Sequence, residues 1–134
     1  MNGWVGDIEA LTLDNTTFRT VLHTAAQLQL TVMCLQPAEE IGVEMHDHLD
    51  QFIRIESGQA KITLGPSADE IETTYDVADD WAVIIPGGTW HNVINSGAIP
   101  LRLYSLYTPP EHEPGAVHQT KADAETAEAE HYGH

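Results

Sequence analysis

The sequence is poor in cationic residues, in cysteine and in long apolar runs, and each shortage excludes something. Five Lys and Arg stand against 21 Asp and Glu, for a formal net charge of −16. Lys61 and Lys121 are the only lysines. A surface this acidic repels phosphate backbones and anionic bilayers, which argues against nucleic-acid and membrane partners. Cys34 is the single cysteine, so no disulfide can close within the chain and nothing calls for an oxidising compartment. No basic stretch followed by an apolar run opens the sequence, and no run approaches the roughly 20 apolar residues that span a bilayer. The expectation is a soluble, cytoplasmic protein.

The 134 residues fit one domain, large enough to bury most of a core. Residues 1–16 are turn-rich (Asn2-Gly3, Asp14-Asn15) and read as an N-terminal arm over the domain. Residues 17–110 carry short runs suited to strands, at 18–23, 28–35, 51–56, 60–64, 81–85, 91–95 and 101–107. Pro37, Ser57-Gly58, Gly65-Pro66, Pro86-Gly87-Gly88, Ser96-Gly97 and Pro109-Pro110 separate them. Turn chemistry at that spacing belongs to an all-β sandwich or barrel. Residues 111–134 form a polar C-terminal extension, whose Ala- and Glu-dense stretch 121–130 suits either a short helix or a solvated tail.

Two stretches carry chemistry. His46-Asp47-His48 sets two imidazoles two residues apart, and on a strand such residues face the same side. Neutral imidazole suits Zn, Ni, Fe and Cu, so the pair makes half a metal site. Alone it is a weak signal, because surface histidines are common. The second stretch, Pro86-Gly87-Gly88-Thr89-Trp90-His91-Asn92-Val93-Ile94-Asn95, is a turn that delivers a histidine onto the start of a new strand.

In order and spacing the two stretches resemble the paired motifs of the cupin superfamily, across residues 17–110. The second cupin motif reads Gly, five residues, Pro-x-Gly, two residues, His, three residues, Asn. Pro86, Gly88, His91 and Asn95 match it, with Asp80 in the Gly place. The first motif reads Gly, five residues, His-x-His, three or four residues, Glu, six residues, Gly. His46, His48 and Gly58 match, Glu40 stands in the first Gly place, and Gln51 takes the Glu place. Only Leu49 and Asp50 separate His48 from Gln51, fewer residues than the motif expects.

The resemblance implies a double-stranded β-helix, or jelly-roll barrel, with a divalent ion (Fe, Mn, Ni, Zn or Cu) held by His46, His48, His91 and a fourth group. Asp50 shares the strand phase of His48, whereas Gln51 shares that of Ile53 and Ile55. Burying Arg54 and Glu56 unpaired would cost several kcal/mol, so the isoleucine face should be the interior. That favours Gln51 over Asp50 as fourth ligand and requires a bend or bulge at Leu49-Asp50. Three imidazoles and a carboxamide are all neutral, which predicts a stronger Lewis acid held less tightly than the usual three-His-one-Glu set. Relatives with Gln in this place include cupins that open or ketonise unsaturated uronates.

The resemblance thus implies a metal-dependent enzyme of isomerase, tautomerase or ring-opening type, acting on a sugar, sugar acid or similar small substrate. A Fe- or Cu-dependent dioxygenase acting on an enol or catechol, and a noncatalytic binding or sensing cupin, stay open beside it. Tyr104 and Tyr107 are the catalytic candidates, although packing in the barrel wall is the commoner role for such residues. Glu111, His112 and His118 follow the barrel; a tail folded over its mouth could supply an acid or base from them, although a solvated tail is the commoner outcome. By the same resemblance the protein is expected to form a homodimer through its outer sheet face, where Phe52, Arg54 and Glu56 lie.

Overall fold

The strands alternate in burial because their sequences alternate in polarity. The computed structural model describes residues 3–132, with side chains as far as 129. In chain order the elements are α1 (Ile8–Asp14), β1 (Arg19–Thr24), β2 (Gln29–Leu35), β3 (Asp50–Ser57), β4 (Gln59–Gly65) and β5 (Thr73–Ala78). After them come β6 (Ala82–Ile85), β7 (Trp90–Asn95), β8 (Leu101–Thr108), β9 (Val117–His118) and α2 (Lys121–Tyr132). In β3, Gln51, Ile53 and Ile55 are buried while Phe52, Arg54 and Glu56 face outward; in β8, Leu101, Leu103, Ser105 and Tyr107 do the same against Arg102, Tyr104 and Leu106.

A six-stranded sheet in the order β6-β3-β8-β2-β1-β9 faces a three-stranded sheet, β5-β4-β7, and the strand pairings among the described residues are antiparallel. This is the expected all-β jelly-roll barrel. Met33, Leu35, Ile53, Ile55, Ile62, Val93, Leu101 and Leu103 fill its core. Full burial of such a side chain is worth about 1.5–3 kcal/mol, so these residues dominate the fold's stability. The seven runs expected from the sequence are all present. β5 was not expected: of its residues only Val77 is buried, so it has no apolar alternation to reveal it.

Three rows of inward side chains cross β2, β8 and β3. Met33, Leu103 and Ile55 make the first, Thr31, Ser105 and Ile53 the second, and Gln29, Tyr107 and Gln51 the third. The interior therefore runs from apolar to polar along the strands.

Both extensions fold onto the barrel. The N-terminal arm contains α1, capped by the Asp7 carboxylate on the Ala10 N–H, and lies on the outer face of β2, β3 and β8. It covers part of the face carrying Arg54 and Glu56, where Arg54 Nε and Glu56 Oε1 are 3.1 Å apart. The segment after β8 is anchored rather than solvated. Buried Gln29 accepts the N–H groups of Glu111 and His112 through Oε1 and donates Nε2 to the His112 carbonyl. α2 follows, with Thr120 and Asp123 capping each other's backbone N–H and Ala124 buried in the core. No helix among the described residues is long and apolar enough to cross a membrane.

Candidate metal centre

Backbone pairing with β7 sets the site. The Glu44 and His91 N–H groups each donate to the other's carbonyl at 2.9 Å, placing their side chains directly opposite. Two residues on, the Gly88 N–H donates to the His46 carbonyl at 2.8 Å. Gly87 lies against the same loop: a Cβ there would come within 2.9 Å of the Leu49 carbonyl oxygen, so any side chain would push the loop away. The 38–46 segment thus runs alongside β7 and brings Glu44, His46 and His91 together, with one ligand atom from each within 4.8 Å of the others.

The imidazoles are oriented for coordination. His91 donates Nδ1–H to the Thr89 carbonyl at 2.9 Å, which leaves the lone pair on Nε2. His91 Nε2 is 3.4 Å and His46 Nε2 3.6 Å from Glu44 Oε1, and neither buried nitrogen has a hydrogen-bond partner. Behind His46, Nδ1 faces Glu111 Oε1 at 3.8 Å, an ion-pair distance too long for a hydrogen bond. Burial works to raise the Glu44 pKa, but the His46 and His91 imidazoles outweigh it and hold the carboxyl well below the usual range. For His46, burial lowers the pKa and the neighbouring Glu44 and Glu111 raise it further than that, for a net increase.

Gln51 is buried on the same side of the barrel. Its Nε2 reaches Ser105 Oγ at 3.4 Å, and its Oε1 has no partner. Asp50 is exposed and accepts the Gly87 N–H through Oδ1, holding the Pro-Gly turn from outside. Tyr107 is buried beside them, with its ring 6.1 Å from that of His46 and 4.9 Å from that of His112. Burial above all pushes its hydroxyl pKa up to about 12. His112 Nε2 is another buried atom without a partner, and burial, helped by Arg19, pulls that imidazole down to about 3.

Three sequence expectations need correction. The structure does not bring His48 to the group. The chain bends at 47–48, the side chain is 60 % exposed, and Nδ1 sits 2.9 Å from Asp47 Oδ1. The uninterrupted strand assumed for the His46/His48 pair is absent. Glu44, two residues earlier and in the same phase, stands in the group instead, so the motif frame moves back by two residues. Glu44-x-His46, four residues, Gln51, six residues, Gly58 then has full spacing, and no residue is missing at Leu49-Asp50. The frame also puts Ala38 in the first motif's Gly place and leaves Asp80 in the second's, and among the described residues these are the two non-glycine residues with positive φ, +68° and +72°.

The donor set therefore includes a carboxylate, and the neutral set expected from three histidines and Gln51 does not describe the group. With one anionic donor, its charge equals that of a three-His-one-Glu set. The third correction concerns Tyr104, which lies on the outer face against Phe52, with ring centroids 6.3 Å apart, and does not meet the site. Glu44 was missed because nothing local distinguishes Glu44/His46 from His46/His48; the distance to Gly58 was the available signal.

Comparison with known proteins agrees with this architecture. A family model described as a cupin domain matches residues 31–107. The uncharacterized protein YrkC of Bacillus subtilis is 50 % identical over 125 residues, covering 93 % of this chain and 67 % of that protein. The uncharacterized protein L612 of Acanthamoeba polyphaga mimivirus is 38 % identical over 115 residues, covering 85 % and 70 %. The crystal structure of BH2720 from Bacillus halodurans superposes with a TM-score of 0.93 at 48 % identity, covering 94 % of this chain and 96 % of that one.

Proposed function

The chain belongs to the cupin family, and on that premise we propose that Glu44, His46, His91 and Gln51 hold a divalent metal ion for catalysis on a small oxygenated substrate. One observation carries the reading: His46 Nε2 and His91 Nε2 are buried without hydrogen-bond partners beside a carboxylate held ionised, and Gln51 Oε1 is a further buried atom without one, in the Tyr107 row. Unpaired buried polar atoms cost about 1–3 kcal/mol each, and one ion satisfies all three. Two imidazoles, a carboxylate and a carboxamide suit Fe, Mn, Ni, Zn or Cu without choosing among them.

When bound, such an ion supplies a Lewis acid that polarises a carbonyl or enediol oxygen. The protein supplies the rest. Tyr107, raised to about 12, keeps its proton at neutral pH, and its ring lies 6.1 Å from that of His46. His112, lowered to about 3, stays a neutral acceptor next to it. Glu111 stands beside both His46 and His48, 3.8 Å from each imidazole. A protonated donor beside a neutral acceptor suits isomerisation, tautomerisation or ring-opening of a sugar or sugar acid.

Elemental analysis of protein purified without added metal tests the site. Wild type and His48→Ala are expected to carry metal, while Glu44→Ala and His91→Ala lose most of it; full occupancy in both of the latter sinks the assignment. Metal-loaded protein is then screened against sugar acids, enols and catechols. Turnover of sugar acids is the expected result. Turnover confined to enols or catechols under oxygen shifts the reading to a dioxygenase, and none at all shifts it to a noncatalytic binding cupin.

A further inference from the structure

A charged residue that the metal reading does not use is buried on β1. Arg19 pairs with Met33 and is 2 % exposed, yet its Nε and Nη1 have no hydrogen-bond partner among the described residues. Its guanidinium lies over the Phe18 ring, 5.5 Å from the centroid. Its ion-pair partner among the described residues is Glu128 on α2, with Oε1 3.8 Å from Nη1, too long for a hydrogen bond. A buried guanidinium is costly unless its fork is hydrogen-bonded, and that fork matches a carboxylate in bidentate fashion.

Arg19 is also within electrostatic reach of the residues beside the metal group. Its charge acts on Tyr107 and His112, and the Tyr107 ring meets His46. Thr31 Oγ1, buried and without a partner, belongs to the inward polar row nearby. The helix that brings Glu128 is lightly held: Ala124 is its one buried side chain among the described residues, and the Glu128 side chain is 46 % exposed.

Building on the metal-site reading, we propose that Arg19 is the anion seat of the barrel, that it takes the carboxylate of the small-molecule ligand, and that Glu128 occupies this seat until the ligand displaces it and frees α2. A carboxylate fits better than a phosphate. Glu128 is already a carboxylate beside the seat, and Glu44 and Glu111 act on it as like charges there, so a second negative charge would be repelled. Charge on the ligand is thus selected by one buried cation, and the resting protein supplies its own competitor.

Hydrogen exchange at the α2 amides of the full chain tests this, with sodium acetate as probe and sodium chloride at equal ionic strength as reference. Saturating acetate is expected to speed α2 exchange about five-fold in wild type. Glu128→Gln should show that faster exchange without acetate, and Arg19→Gln should not respond to acetate. Equal rates in acetate and chloride overturn the proposal, as does an acetate response that survives Arg19→Gln. Should Arg19→Gln fail to fold, a wild-type-sized acetate response in Glu128→Gln overturns it equally. Inorganic phosphate acting as strongly as acetate rejects the carboxylate assignment. Metal content measured on the same samples separates the two readings, because absent metal with an intact acetate response sinks only the metal site.

Discussion

The two ends of the barrel interior are built by the same strands and behave oppositely. At one end Met33, Leu103 and Ile55 stand side by side on β2, β8 and β3, each fully buried. Two rows along, Gln29, Tyr107 and Gln51 occupy equivalent inward positions, and they too are buried. Of the buried side-chain atoms without hydrogen-bond partners among the described residues, those of Gln51, His46, His91 and His112 lie in or around the Tyr107 row. The apolar end supplies stability; the polar end carries buried polar atoms without partners, at a cost in stability. A protein free to optimise folding alone would close both ends with aliphatic side chains.

The sharpest way to break the comparison is to exchange the character of the ends. Leu103→Ala, in the apolar row, is expected to cost about 2–5 kcal/mol through lost burial and a cavity. Gln51→Leu, in the polar row, is expected to cost the metal-free protein nothing and to stabilise it by about 1 kcal/mol, because a buried amide oxygen without a partner disappears. Urea unfolding of both variants after chelation measures the pair. Similar destabilisation by both substitutions would mean that the polar row is packed as tightly as the core and is not held open for a ligand.

A smaller effect concerns pH. His112 is held at about 3 by burial, then by Arg19, against an ordinary value near 6.5. Below 6.5 the unfolded chain takes up a proton that the folded protein refuses, so this contribution is complete above 6.5 and is lost as pH falls toward 3. With discount for its partial exposure, the loss should total about 2 kcal/mol. Urea midpoints of chelated protein from pH 7 to pH 4 should fall less steeply in His112→Gln than in wild type. Parallel slopes would show that the imidazole is solvated and that the segment after β8 does not seal the polar end.

Much of this was legible before any coordinates. The alternation of Gln51, Ile53 and Ile55 against Phe52, Arg54 and Glu56 states which face of β3 is inside, and the Pro86 to Asn95 stretch states where His91 stands. What escaped was long-range. Glu44, His46 and His48 all share one strand phase, and only the Glu44–His91 pairing and the bend at 47–48 separate them. The anchoring of the 111–118 segment depends on Gln29, more than eighty positions away, whose amide looks like any other polar residue in its strand. β5 is exposed along most of its length and leaves no periodic trace.

The smallest predicted effect tests the corrected motif frame itself. Ala38 sits at φ +68°, in the place where that frame puts the first motif's glycine. An L side chain in the left-handed region costs about 1–2 kcal/mol, while glycine gives back about 0.5–1 kcal/mol through its freer unfolded chain. Ala38→Gly should therefore stabilise the protein by about 0.5 kcal/mol, whereas Glu40→Gly, in the place that the His46/His48 frame gives to glycine, gains no such relief and should destabilise it. Asp80, also left-handed, is a poorer probe, because its carboxylate pairs with Arg54 Nη2 at 3.0 Å and that contact would be lost with the side chain. Thermal melts of the two variants decide between the frames. Stabilisation by Glu40→Gly and not by Ala38→Gly would restore His46 and His48 as the motif pair and remove Glu44 from the polar end.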